Sequence, residues 1–213
     1  LLVVLHLGAL HEVGSNNPDG VDIKYGPKGN RWSKTAPTDG IPFHPYYTVK
    51  DLVGVGFLLL IAAFIIFFAP EFGGWFLEHD NFTEANRLVT PEHIKPVWYY
   101  TPYYAMLRVV PDKLAGVLVM FGAIAILFFV PWLDRARVKS YRYRGLMSKV
   151  LLGLFAISFV WLGKIGAGPG TDPVETIVGR FLTFYYFAFF LTMPLWTRWD
   201  KTKPVPERVT THD

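Results

Sequence analysis

Cysteine is absent from this 213-residue chain. That excludes disulfide scaffolds, zinc fingers, thiol redox centres and iron–sulfur clusters held by Cys. Charge is scarce too: Asp, Glu, Lys and Arg make up 18% of the residues, and the formal net charge is only +4. A mean hydropathy of +0.28 with so little charge is wrong for a disordered chain and unusual for a soluble domain. No basic run is long enough to hold nucleic acid. No repeat of fixed period and no signal peptide is visible. An initiating Met is also lacking. The chain opens on Leu1-Leu2-Val3-Val4 inside what already reads as a hydrophobic helix, so it is expected to be a piece of something longer.

What is abundant is apolar sequence. Residues 52–69 run for 18 positions and residues 114–133 for 20 without a charge. At 1.5 Å per helical residue, each covers a hydrocarbon core of roughly 30 Å. Residues 150–163 stop at Lys164, and residues 176–196 are broken only by Arg180, which can snorkel. The expected fold is therefore an all-α integral membrane helix bundle. It holds the end of one span (1–13), a loop (14–47) and four complete spans near 48–69, 114–133, 146–168 and 175–197. The 48–213 part forms one C-terminal domain, with a long loop over 70–113.

Fifteen of the 21 Lys and Arg fall in the 14–50 and 134–149 loops and the C-terminal tail. The other six are Arg87, Lys95, Arg108, Lys113, Lys164 and Arg180. The positive-inside rule places the first side in the cytoplasm. Trp75, Trp132, Trp196 and Trp199 read as an interfacial belt. The 14–47 loop is Gly-, Pro- and Asn-rich and reads as cytoplasmic turns. The 70–113 loop is different: long, extracytoplasmic and dense in Pro, Trp and Tyr, which marks a functional segment.

Titratable groups narrow the chemistry. His6 lies in an apolar stretch, where an imidazole needs a partner. That partner is either a haem iron bound through a ring nitrogen or a carbonyl on a neighbouring helix. His11 lies about 140° further round the helix, so the two cannot bind one metal as an i, i+4 pair. It is either a wetted helix end or part of a site. Lys50 and Asp51 open the next span; helix-dipole and headgroup contacts account for them alone. Together with His11, at one membrane depth, they also suit proton delivery to a reduced quinone. The run from Arg135 to Arg144 reads as a topology signal and Arg180 as structural. His44, His79 and His212 carry nothing beyond their loops.

Four strings, in order, then add up to a resemblance: LHLGALHEVGSNNP (5–18), PFHPYYTVKD (42–51), TPEHIKPVWYYTPYYAMLR (90–108) and PDKLAGV (111–117). They resemble the cytochrome b family, the membrane subunit of quinol–cytochrome c oxidoreductases, over nearly the whole chain. The likeness is to the bacterial form. The split chloroplast-type C-terminal subunit lacks both the His6 region and a final span.

The resemblance implies that His6 is an axial ligand of the high-potential haem b. The first three helices, most of the fourth and the other haem histidines would lie in an N-terminal remainder of the subunit. It implies an inner, quinone-reducing site formed by His11, Ser15, Asn17, Lys50 and Asp51, with His11 and Asp51 as proton donors. The outer, quinol-oxidising site matches Pro96, Val97, Trp98 and Tyr99, with Tyr104 as a pocket or gating residue. The family commonly carries Pro-Glu-Trp-Tyr there, and its Glu accepts a quinol proton. Val97 cannot, so Glu92, His93 or an ordered water chain is expected to take that proton. The bland account of the Trp98–Tyr104 cluster is interfacial anchoring, which is compatible with a site.

The activity implied is electron transfer from ubiquinol through two b haems, coupled to proton translocation. The partners implied are a Rieske iron–sulfur protein, a cytochrome c1-type subunit, quinone and the bilayer. The complex would be dimeric in a bacterial inner membrane, and the fragment alone would be neither active nor haem-bearing. The competing class is a non-catalytic membrane module, a transporter half or an assembly subunit. Against a transporter, the two clearest spans carry no midplane charge and no paired broken helices are visible.

Overall fold

In the computed structural model, which describes residues 1–22, 43–74, 76–89 and 94–209, the apolar runs become helices bounded by capping residues. Most of the 14–47 loop, Trp75, Glu92, His93 and His212 lie outside the described residues. α1 spans Leu2–Val13 and ends at Gly14 (φ 77). α2 spans Thr48–Phe68, with Asp51 in its first turn. Among the described residues four helices are long and apolar enough to cross a membrane: Phe43–Phe68, Lys113–Leu133, Leu146–Ala167 and Pro173–Leu191. Among the described residues there is no strand.

The 70–113 segment is less loop-like than its sequence suggests. Its last part folds into α3 (Thr101–Val109), started by Pro102, whose missing N–H costs nothing in a first turn. Asp112 then caps α4 (Lys113–Ala125), its Oδ1 accepting from the Ala115 amide at 2.7 Å. Pro131 lacks an N–H and crowds the carbonyl four residues back. The chain accordingly tightens into a 3₁₀ turn over Ile126–Phe129 before α5 (Val130–Leu133) completes the span. α6 covers Leu146–Ala167, and α7 (Pro173–Leu191) is capped by Asp172. The expected final span of 175–197 is broken at Thr192, where the helix closes, and α8 (Met193–Trp199) resumes just before Pro194.

The chain divides into two compact units. One comprises 57–135 and 146–199, and its core is Ala105 and Met106 of α3, Ala123 of α4, Leu162 and Ile165 of α6, and Tyr186, Phe189 and Phe190 of α7. Phe155 stacks on Phe189 at 4.5 Å and meets Phe190 edge-on at 5.3 Å. Between helices in lipid the hydrophobic drive is weak, so packing and hydrogen bonds decide the contacts. Tyr186 OH donates to the Ala123 carbonyl at 2.8 Å, and Tyr185 OH to the Leu151 carbonyl at 3.1 Å. Trp196 is not a belt residue: it is 8% exposed, and its indole donates to the Phe189 carbonyl. Trp132 and Trp199 are exposed.

The other unit comprises 1–56, 136–145 and 200–213. Here charge makes the join. Asp19, 1% exposed, accepts from Arg142 Nη1 at 2.9 Å and Tyr143 OH at 2.8 Å. Ser140 Oγ donates to the Pro18 carbonyl, and Lys139 pairs with Asp22. Gly145 donates its amide to Asp200, at a position where a Cβ would lie 2.3 Å from that carboxylate.

Candidate functional site

The α3 helix is seated rather than merely adjacent. A Cβ at Gly166 of α6 would lie 1.8 Å from the Thr101 carbonyl oxygen, and one at Gly116 of α4 would lie 2.4 Å from that of Leu107. At Gly179 of α7 it would meet the Val109 side chain at 2.7 Å. Three helices thus offer α3 a glycine, the small-residue contact that lets backbones close up in a membrane. Two arginines lock the seat. Arg108 donates to the carbonyls of Ile165 (2.6 Å) and Gly168 (2.8 Å), neutralising the C-terminal end of α6. Arg180 Nε donates to the Val109 carbonyl at 2.8 Å. The Arg108 guanidinium also lies 5.3 Å from the centre of the Tyr104 ring, whose hydroxyl reaches the Ile94 carbonyl at 3.3 Å.

Before this helix the chain walls a cavity of about 770 Å³. Pro96, Trp98 and Tyr99 line it from one side, and Phe159, Val160 and Lys164 of α6 from the other. Gly73, Gly74, Glu78 and Lys95 also contribute. Three consecutive left-handed residues, Phe72 (φ 43), Gly73 (φ 66) and Gly74 (φ 85), turn the chain sharply after α2. Phe72 is strained there, since a bulky side chain disfavours that region. Beyond the turn Glu78 meets Lys95 at 3.5 Å, with side chains 29% and 41% exposed. At that exposure the pair is worth under about 1 kcal/mol, so it does not lock the carboxylate. Of the residues expected at the outer site, Pro96, Trp98 and Tyr99 share this cavity. Val97 and Tyr104 do not line it, and Glu92 and His93 lie outside the described residues.

At the other expected site the side chains differ in how much they are already engaged. His6 on α1 is exposed and its imidazole makes no hydrogen bond to any described residue; a Cβ at nearby Gly8 would meet nothing within 4 Å. His11 Nδ1 is 2.8 Å from the Leu7 carbonyl one turn back. With a proton on Nδ1, neutral His11 presents Nε2 as an acceptor and the imidazolium presents a donor. Asn17 closes its own turn, donating to the Val21 carbonyl at 2.7 Å and accepting the Val21 amide at 2.9 Å. Ser15 is exposed. Lys50 lies 5.3 Å above the Tyr47 ring. No hydrogen bond or ion pair joins Lys50 or Asp51 to His11, Ser15 or Asn17 among the described residues. No group of three or more His, Cys, Asp or Glu converges on a metal-sized point among them either. The Lys139 ammonium beside Asp22 holds that carboxyl below the usual carboxylate range, and burial pushes the Tyr141 phenol up.

Sequence reasoning missed Glu78, Lys164, the clamp of Arg108 and the glycine seat. Each depends on partners distant in the chain, and no local pattern announces them. Glu78 carries one faint signal, the Gly73-Gly74 turn five residues before it.

Comparison with known proteins fits this geometry. Residues 84–187 match the family model described as Cytochrome b(C-terminal)/b6/petD. Cytochrome b of Allochromatium vinosum is 59% identical over 213 residues, covering 98% of this chain and 51% of the relative. Cytochrome b of Rickettsia bellii is 45% identical over 208 residues, covering 98% and 48%. A chain of a solved hyperthermophilic respiratory Complex III matches with a TM-score of 0.78 at 33% identity, over 92% of this chain and 47% of that one. The chain thus spans about half the length of the curated relatives it matches. With its four membrane-crossing helices, it is a multi-pass membrane chain that belongs to the cytochrome b family and carries that family's C-terminal part.

Proposed function

We propose that this chain is part of the membrane subunit of a respiratory quinol–cytochrome c oxidoreductase, carrying electrons from ubiquinol through b haems and coupling this to proton translocation. The observation that carries the reading is the cavity of about 770 Å³ where the Pro96–Tyr99 stretch faces α6, beside a helix clamped by Arg108 and Arg180. Apolar walls with a few polar groups suit a quinol head, and the clamp holds those walls in place. Tyr104, pinned between Ile94 and Arg108, is the gating residue of this outer site. Glu92 and His93 belong to the same site as candidate proton acceptors.

His6 fits a haem by the chemistry of its donor: an exposed imidazole that makes no hydrogen bond to any described residue. When bound, haem supplies reversible one-electron transfer. His6 would hold it through a ring nitrogen, and a further ligand would come from the half of the relatives' length that this chain does not span. His11, Ser15, Asn17, Lys50 and Asp51 form the inner quinone site. Asn17 shapes its turn, His11 offers Nε2, and Asp51 offers a carboxyl at the start of α2. A Rieske iron–sulfur protein and a cytochrome c1-type subunit are the partners, in a dimeric complex of the bacterial inner membrane. The 14–47 and 134–149 loops and the C-terminus face the cytoplasm.

The test is a reduced-minus-oxidised spectrum of the native membrane complex, wild type against His6→Ala. Loss of the higher-potential b-haem signal with the lower-potential one intact is the expected result. Survival of both signals removes His6 and the site register built on it.

A further inference from the structure

The cavity beside Trp98 and Tyr99 has one property that a quinol-oxidising site needs and position 97 does not provide. Among the described residues that line it, Glu78 is the only carboxylate. Lys95 and Lys164, the other charged groups there, are ammonium donors with no lone pair to accept a proton. The Tyr99 phenol and the Thr101 hydroxyl are poor bases at neutral pH. Glu78 is drawn to Lys95, two residues before Val97, and so stands next to the stretch where the family carries its Glu. Its side chain is 29% exposed, which gives an accepted proton a way out to water.

We propose that Glu78 is the proton acceptor of the outer site, standing in for the carboxylate that Val97 lacks. This rests on the quinol-oxidising reading above. Oxidation of one quinol yields one quinone, two electrons and two protons. The electrons go to the two one-electron acceptors of the proposed reaction, the iron–sulfur partner and the b haem. One quinol O–H bond breaks with its proton leaving to the iron–sulfur partner. The other breaks as its proton binds a Glu78 carboxylate oxygen, forming a neutral carboxyl. That carboxyl then releases its proton to water beside Lys95, and the ion pair re-forms.

The experiment uses the complete complex in native membranes with a short-chain ubiquinol as donor. Glu78→Gln is expected to slow quinol oxidation about 10²-fold, within the range for loss of a general base, with the b-haem spectrum at wild-type level. The acid limb of its pH–rate profile disappears; the charged groups near the carboxylate are Lys95, which pairs with it, and Lys164, which lines the same cavity. Adding Val97→Glu to Glu78→Gln restores most of the rate. Wild-type oxidation and an unchanged pH profile in Glu78→Gln overturn the proposal. So does loss of the acid limb in Glu92→Gln or in His93→Gln when Glu78→Gln keeps it. If Glu78→Gln does not assemble, the double variant carries the test. Assembled but inactive, while Val97→Glu alone oxidises quinol, it overturns the assignment; restored activity supports it. Wild-type membranes with neither b haem nor quinol oxidation would instead defeat the broader reading.

Discussion

α2 and α6 are both long apolar helices, yet their surroundings are opposite. α2 is the more apolar of the two, yet none of its residues is buried. α6 buries Ser148, Ser158, Leu162, Ile165 and Gly166. The glycines show why. Gly54 and Gly56 of α2 would place a Cβ in open space, whereas Gly166 of α6 is filled by the Thr101 carbonyl. Hydropathy says that a helix can enter the bilayer; small residues and polar hooks say which protein surface it meets. Apolarity alone therefore does not decide which of two long helices is packed against others among the described residues.

The strongest way to break that comparison is to fill both kinds of seat. Gly166→Leu forces the first turn of α3 off α6, because the obstacle at 1.8 Å is backbone and cannot swing away. We expect loss of the assembled subunit, a cost above about 3 kcal/mol for so severe an overpacking. Gly54→Leu is expected to leave the α3–α4–α6–α7 core unchanged and to destabilise only the subunit containing the remaining helices. Folded yield and thermal unfolding in detergent, measured on this segment and on the full subunit, check both. Equal effects in the two contexts would show that α2 faces lipid on that side.

The same contrast explains what the sequence could reveal. The spans are legible because a run of apolar residues is a local property: the run 114–133 falls within an observed helix, and 52–69 overruns its helix by the single residue Ala69. The helix at Thr101–Val109 is not. Nine residues with Pro102 and two Tyr are too short to stand alone, and their seats lie on three helices remote in sequence. The site divides likewise. Pro96, Trp98 and Tyr99 are near neighbours in the chain and reach one cavity, so their association is readable. Val97 in place of Glu is readable too. Its replacement is not, because Glu78 becomes a neighbour only through the left-handed turn at Phe72–Gly74.

A milder perturbation leaves the seat and removes its lock. Arg108→Lys keeps the charge but loses the planar fork that reaches Ile165 and Gly168 together. Roughly 1.5 kcal/mol is expected for one lost charge-assisted bond, and roughly 3 kcal/mol for Arg108→Leu, where both go. Because Tyr104 rests against the guanidinium, quinol KM should rise in both variants with the haem spectrum unchanged. An unaltered melting temperature in Arg108→Leu would mean that the glycines alone hold α3.

The smallest effect belongs to the unit joined by charge. Lys139 and Asp22 pair across exposed loops, their side chains 62% and 85% exposed. The hydrogen bond and the charge of Lys139 lower the pKa of Asp22 in the folded chain. A depressed carboxyl favours the fold above its unfolded pKa, and that contribution fades as pH falls through the folded value. Asp22→Asn should therefore differ slightly from wild type at neutral pH, with the curves converging below about pH 4. Salt should shrink the difference as well, since so exposed a pair is screened within a Debye length of about 10 Å at 0.1 M. The buried Asp19, held by Arg142 and Tyr143, should feel salt far less. Melting temperature against pH at two ionic strengths reads this directly. A wild-type advantage that persists in acid or in high salt would show that the join depends on the loop backbone rather than on the Lys139–Asp22 charge pair.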